Sequence, residues 1–464
     1  MTMSEQLAAF VARANYDELS EVARVQLKVR ILDSLGCAIG ALGGEPIARI
    51  REQLADFGGS SLCTLIAGGR TAPDRAAFYN SALVRYLDFN DSYLAKGETC
   101  HPSDNLGAVL AGGEYQARDG KNLMVALAVA YQVFCRLCDV APVRARGFDH
   151  TTLGSFAVAA GVAKALDLNV EQTTNAIGIC GTAFNALRVT RTGALSNWKG
   201  LAYPNTVFGC THATFLAMRG ITGPREVFEG NKGFADTISG PFAIDWSKEN
   251  LEKVTETSVK KYNAEVHSQS TLEAVLELRQ VNNFKAEEVD RVEVETFDVA
   301  YNIIGGGEEG EKTTIRTKEE ADHSLPYMVA VAILDGEVTP SQYLPQRILR
   351  QDVQNLLRKV SVRPSNELSQ HFPRQMPTRV TVWLRDGKRL FLEKLAYEGY
   401  YTQPIRWETE VKKFDLLSAP GADAGLREQI VQAVANLETI TVADLMQLLA
   451  RVRSAVAPVR RSAS

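Results

Sequence analysis

Apolar and small residues recur every three to four positions through the first half of the chain, a spacing that predicts successive helices. The segments SEVARVQLKVRILDSLGCAIGAL, DRAAFYNSALVRYLDF, NLGAVLAGGEYQA, TTLGSFAVAAGVAKAL and VEQTTNAIGICGTAF carry it from about residue 5 to about residue 250. They are rich in Ala and Gly, whose small side chains let helices approach closely, so a compact all-α region with almost no strand is expected. Asp74, just after Pro73, is a helix-start residue, and Ser81 is a weaker one.

The texture changes near residue 260. VDRVEVETFDVAYNII, KVSVRP and RVTVWLRDGKRLFLEKL alternate β-branched or aromatic residues with polar ones, and Asp386-Gly387 marks a hairpin between two such runs. Helical patterns lie between them in HSLPYMVAVAILDG and RQDVQNLLRKV, and helical spacing returns after Gln403-Pro404. The expected fold is mainly α: a large all-helical domain over 1–258, a smaller inserted α+β lid over 259–403, and a return to the helical domain over 404–464. The closing APVRRSAS should fray.

Composition narrows the function classes. At 464 residues two or three domains are favoured, and 23% charged residues with a net charge of -4 indicate neither disorder nor a polyanion-binding surface. Nucleic acid is therefore not an expected partner. The start MTMSEQLAAFVARANYDEL has no basic or apolar leader region, and no later run reaches the roughly 20 apolar residues of a membrane span. A cytoplasmic protein without membrane contact is expected. Seven scattered cysteines argue against a disulfide framework. Cys135 and Cys138 share one face of an apolar helix, but no second Cys or Cys/His pair completes four ligands, so packing is expected and no metal.

The densest chemistry lies in Leu87-Asp88-Phe89-Asn90-Asp91-Ser92 and His101-Pro102-Ser103-Asp104-Asn105, a notable concentration in a chain with six histidines. Such a set can take a proton from carbon and give one to a departing oxygen. Further clusters are Gly147-Phe148-Asp149-His150-Thr151-Thr152, then Arg188 to Gly193 continuing through Ser196-Asn197-Trp198-Lys199 to Asn205, and last Lys260 to Gln269 at the boundary between the domains. Cationic donors converging with histidines suit a small polycarboxylate.

In their order along the chain, LDFNDSY with HPSDNLG, GFDHTTLGSFAVAA, SNWKGLAYPN, KKYNAEVHSQ, ADHSLPYMVAVAILDG and YYTQPIRW resemble the MmgE/PrpD family, whose namesake activity is 2-methylcitrate dehydratase. The resemblance covers nearly the whole chain. It implies a large helical domain, a smaller α+β lid, a homodimer, and catalysis with no cofactor and no iron-sulfur cluster. Members include dehydratases, cis-aconitate decarboxylases and an iminodisuccinate epimerase. Thirteen positions separate Asp88 from His101, and HPS continues as Asp104-Asn105, which is similar to the methylcitrate dehydratase branch. Asn263 stands where the family pattern has proline, which leaves open whether Lys260 or Lys261 enters the site.

The resemblance and the local chemistry together assign catalytic roles to Asp88, Ser92, His101, His150, Lys199, Lys260 and Tyr301, and substrate binding to Arg191, Lys261 and His267. Each has a plainer reading. His101 and His150 could cap helices, Lys199 could snorkel at the surface, Asp88 could make an Asx turn, and Tyr301 could pack on a strand. His267 could be a hinge residue, His212 reads as a core histidine and His371 as surface. The expected reaction is loss of water from a 2-methylcitrate-like tricarboxylate. Decarboxylation of cis-aconitate, epimerisation of a related polycarboxylate, or ligand binding without turnover are the alternatives.

Overall fold

The computed structural model describes residues 1–193 and 195–453; the APVRRSAS tail lies outside them. The protein is mainly α and divides into two compact units, one comprising 1–191, 197–257 and 407–464, the other 192–196 and 258–406.

The first unit is a helical assembly. Its helices are α1 (Met3–Arg13), α2 (Glu21–Gly40), α3 (Glu45–Phe57), α4 (Pro73–Tyr86), α5 (Leu106–Tyr115), α6 (Gly120–Val140), α7 (Thr151–Ala165), α8 (Val170–Ala183) and α9 (Trp198–Met218). The C-terminal return adds Trp407–Ser418, Ala424–Ala435 and Val442–Ala450. Side-chain caps start several of them: Thr2 and Glu5 form a capping box on α1, Asn169 and Gln172 another on α8, and Asp119 accepts from Asn122 N–H at the head of α6. Pro73 occupies the first position of α4, where its missing N–H is harmless and its fixed φ suits the helix. Ser81, read as a weak helix start, is instead buried inside α4 and donates to the Asp104 carbonyl.

Small residues set the close approaches around the site. A Cβ on Gly107 of α5 would collide with Ser81 of α4, and one on Gly154 of α7 would collide with the Tyr203 ring of α9. Helix α6 corrects the expectation that no run is long enough for a membrane span: its 21 residues pass by length and composition. Its most apolar stretch is 83% buried within the protein. A helix enclosed on all sides is apolar on all sides, so the α7-packed position of α6 accounts for its composition.

The second unit has a four-stranded sheet of β1 (Val289–Thr296), β2 (Val360–Pro364), β3 (Thr378–Leu384) and β4 (Arg389–Lys394), in the order β2-β1-β3-β4. β1 runs parallel to β2 and antiparallel to β3, and the β3–β4 hairpin turns at Asp386-Gly387, where Gly387 has a φ of 90°. The helices Gln269–Asn282, Leu325–Asp335 and Gln351–Leu357 join the sheet in a core that includes Leu272, Val292, Met328, Val353 and Val380. The strand pattern read through VDRVEVETFDVAYNII stops at Thr296; Asp298 begins a helical turn, so Tyr301 is on no strand.

Candidate functional site

In the first unit one loop, the short turn Arg188–Arg191 and two helix starts bring six of the singled-out side chains together. Helix α4 ends at Tyr86, and Asp88 turns the chain with a φ of 53°, its N–H donating to the Arg85 carbonyl at 3.0 Å. The following segment forms a two-residue ladder, Tyr93–Leu94 against Thr99–Cys100, which returns the chain to His101. The period-based reading found no strand here because two residues are too few to show alternation.

His101 is buried and its Nδ1 lies 2.7 Å from the Asp91 carbonyl and 3.2 Å from Ser92 Oγ. A carbonyl can only accept, so Nδ1 carries a proton, and in the neutral ring the lone pair is then on Nε2. Asp91 is itself fixed, its carboxylate accepting from Ser103 Oγ at 2.6 Å and from Tyr131 Oη at 2.6 Å. Burial raises its pKa in spite of those donors.

His150 stands at the head of α7, with its ring centroid 5.6 Å from that of His101 and the rings edge to face. An antiparallel bridge between Phe148 and Leu187 brings the segment after α8 against this loop, and Asp149 N–H donates to the Ala186 carbonyl at 2.9 Å. That pairing places two arginines on Asp149: Arg191 Nε at 2.7 Å and Arg188 Nη1 at 3.7 Å, while His150 Nδ1 is 3.5 Å away. Burial, with the positive field of Arg191, Arg85 and Arg188, overrides Asp149 and lowers the His150 pKa to about 3. His150 is therefore neutral near pH 7, and its Nε2 is buried with no hydrogen-bond partner among the described residues. Asp149 is held well below the usual carboxylate range, Arg191 and His150 outweighing the effect of burial.

Lys199, in the first turn of α9, is buried and its Nζ is 3.4 Å from Asp88. Arg191 Nη1 donates to the Lys199 carbonyl at 3.2 Å, and Arg191 Nη2 is buried without a hydrogen-bond partner among the described residues. Asp88 also pairs with Arg85 Nη1 at 2.6 Å, so its side chain bridges two cations; an Asx turn does not describe it. Asp88, Ser92, His101, His150, Arg191 and Lys199 thus form one constellation, buried at Ser92, His101, His150 and Lys199 and half-buried at Asp88 and Arg191, with Lys199 enclosed and not snorkelling.

Sequence reasoning missed its supports. Arg85 is buried in the last turn of α4, and the carboxylates of Asp88 and Asp104 keep it charged against burial. Asp104 accepts from Asn90 Nδ2 at 2.8 Å, and burial raises its pKa to about 7 against the pull of Arg85. Tyr203 donates to Asn105 Oδ1 at 3.0 Å and lies partly stacked beside the His150 ring. Asp149 and Asp104 sat inside quoted motifs. Arg85 had no signal, since an arginine in an Ala-rich helix reads as surface.

Cys100, next to His101, is buried near Cys135 and Cys138, an association that spacing within α6 alone could not show. Burial pushes all three thiols up, Cys138 to about 12, so they pack as thiols. His212, read as a core histidine, is exposed on α9 with Nδ1 3.3 Å from Asp74. α9 is only partly enclosed, and its apolar run spans both faces.

The other four singled-out residues are in the second unit, and they do not form one group. Lys261 Nζ is engaged by Glu273 at 2.9 Å and Glu398 at 3.2 Å. Lys260 is buried, and its charge helps, after His267 and His323, to hold the half-buried Glu265 carboxyl below its ordinary range against desolvation. His267 is buried too, with Nδ1 2.7 Å from Glu265, rings Phe297 and Phe372 beside it, and Nε2 without a hydrogen-bond partner among the described residues. Asn263 donates its backbone N–H to the Val338 carbonyl at 2.9 Å, a bond no proline could make. Tyr301 caps its own turn, its carbonyl accepting from Gly307 N–H at 3.1 Å. His323, missed in the sequence, bonds through Nδ1 to Asp322.

Residues 5–247 match the MmgE/PrpD N-terminal domain and residues 262–439 the MmgE/PrpD C-terminal domain. A 2-methylcitrate dehydratase of Escherichia coli (strain K12) is 26% identical over 407 residues, covering 81% of each chain. A probable 2-methylcitrate dehydratase of Saccharomyces cerevisiae is 26% identical over 405 residues, covering 80% of this chain and 76% of its own. An alkylcitrate dehydratase of a fungal species is 26% identical over 483 residues, covering 94% of this chain and 92% of its own.

Proposed function

This chain belongs to the MmgE/PrpD family, and we propose that it is a hydro-lyase that removes water from a 2-methylcitrate-like tricarboxylate by acid/base chemistry without an iron-sulfur cluster. The supporting observation is the pairing of two buried histidines, 5.6 Å apart, with two unanswered polar atoms, His150 Nε2 and Arg191 Nη2, beside the Asp88–Lys199 pair. Buried polar atoms without partners in a native site call for a ligand. A substrate carboxylate answers Arg191, and a substrate hydroxyl answers the neutral His150.

His101 Nε2 takes the carbon-bound proton, while Arg191 and Lys199 stabilise the enolate-like charge that builds on the adjoining carboxylate. The carbon–oxygen bond breaks as the hydroxyl, oriented by His150, receives a proton from the Lys199 ammonium and leaves as water. Proton return from the His101 imidazolium to Lys199 through solvent resets the site. Asp88 orients Lys199. In the second unit, Lys260 and His267 are the residues we assign to substrate binding; Lys261 already has two carboxylate partners. We also propose a homodimer, checked by light scattering.

The test is product analysis by NMR and ultraviolet absorbance with chelator-treated protein and 2-methylcitrate, citrate, cis-aconitate and iminodisuccinate. Growth of a conjugated alkene from 2-methylcitrate, with no iron in the active sample, is expected. Carbon dioxide from cis-aconitate, or deuterium exchange without loss of water, would overturn the assignment, as would activity that requires iron.

A further inference from the structure

Behind the loop that carries Asp88 lies a buried ionic group that the proposed chemistry does not use. The helix Trp407–Ser418 packs on α2 and supplies Lys413 and Glu410, while α2 supplies Asp33 and Arg30. All four are buried. Lys413 Nζ pairs with the Asp33 carboxylate, donates to the Phe89 carbonyl at 2.9 Å, and stands 3.8 Å from the centre of the Phe89 ring. Arg30 is engaged elsewhere, donating to Thr257 Oγ1 at 3.0 Å and to the Thr257 carbonyl at 2.6 Å. Among the described residues Glu410 has no hydrogen-bond partner on either oxygen, and burial followed by the nearby Asp33 charge pushes its pKa well above the usual carboxylate range.

Burying a lysine–aspartate pair is seldom a net gain in stability over apolar packing, so its placement asks for another account. The Phe89 carbonyl follows directly on Asp88, whose φ of 53° is a conformation that side-chain-bearing residues seldom adopt. One side of that turn is tied to the Arg85 carbonyl and the other to Lys413. Two residues further on, the Asp91 carbonyl receives His101 Nδ1. A single loop therefore aims Asp88 at Lys199 and fixes the tautomer of His101, and Lys413 is the charged tether on its inner side.

We propose that Lys413, with Asp33 as its counter-charge, is a positioning residue that holds the Asp88–Asp91 turn and, through it, the His101 ring. The inference rests on the proposed role of His101, and its test separates the two. Isotope-labelled histidine gives six ring signals, assignable by single substitutions. In Lys413→Met the His101 signal is expected to move while those of the exposed His212 and His371 do not, and kcat falls at least about tenfold with KM within about threefold. The exposed neighbour Lys412→Met is expected to match wild type in both. If an unpaired Asp33 unfolds the single variant, the charge-free Asp33→Asn, Lys413→Met double variant carries the same expectation. A folded variant with the His101 signal unmoved, or with all six signals moved together, overturns the proposal. If the wild type turns over no tricarboxylate, the His101 signal alone decides, and the functional reading fails separately.

Discussion

The two units each bury a histidine against a carboxylate, and the pairs differ in what else the carboxylate holds. Glu265 lies 2.7 Å from His267 Nδ1 and takes the His267 backbone N–H on its other oxygen at 2.8 Å, so it serves that histidine. Asp149 lies 3.5 Å from His150 and is drawn away by Arg191 and Arg188. A histidine–acid pair in sequence therefore does not fix the charge of the ring; at His150 burial, and after it the competing guanidinium groups, do. In the first unit the outcome is a neutral imidazole among cations, fit to accept a hydrogen bond from a hydroxyl.

The largest difference should come from the lysines. Lys199→Met removes the proposed proton donor, and kcat/KM should fall roughly 100- to 10,000-fold. Lys261→Met, whose ammonium is already held by two glutamates, should change it by less than about threefold. Steady-state kinetics on the two variants checks both. Next, Arg191→Gln should make the His150 pair more like the His267 pair. Releasing Asp149 and removing a nearby charge should raise the His150 pKa from about 3, read by NMR titration. KM for the tricarboxylate should rise roughly 10- to 100-fold with the loss of one charge-assisted hydrogen bond.

A smaller effect is expected in the second unit. Asn263→Pro, which restores the family's usual residue, removes the donor to the Val338 carbonyl and should lower stability by about 1–3 kcal/mol, measured by denaturant unfolding. The smallest concerns pH. Asp104, with its pKa raised to about 7, keeps a proton in the folded protein that the unfolded chain loses, so its contribution falls as pH rises through that range. His150, with its pKa lowered to about 3, refuses a proton that the unfolded chain binds, so its contribution rises with pH up to its ordinary 6.5. The two oppose each other in wild type. In Asp104→Asn only the rising one remains, and the melting temperature should climb more steeply between about pH 4.5 and 6.5 than in wild type.

Much of this was legible in the sequence. Periodicity found the helices of the first unit because they are long and bury an apolar face, and Asp386-Gly387 found its hairpin because the turn demands those residues. The strand through Tyr301 was overextended, since VAYNII keeps β-like residues while the chain turns helical at Asp298. His212 departs from its core reading because an apolar helix need not be enclosed on every side. At the site, Asp88, His101, His150 and Lys199 were visible as motif residues. The supports were not: Arg85, Tyr131, Tyr203 and Lys413 approach from separate helices, and only the packing of those helices brings them to the loop.

The most direct measurement sets His101→Gln beside His267→Gln on the substrate the wild type dehydrates. The acid/base assignment predicts that His101→Gln loses kcat by at least about 100-fold, whereas His267→Gln mainly raises KM. A His101→Gln enzyme that keeps the wild-type kcat would contradict the account.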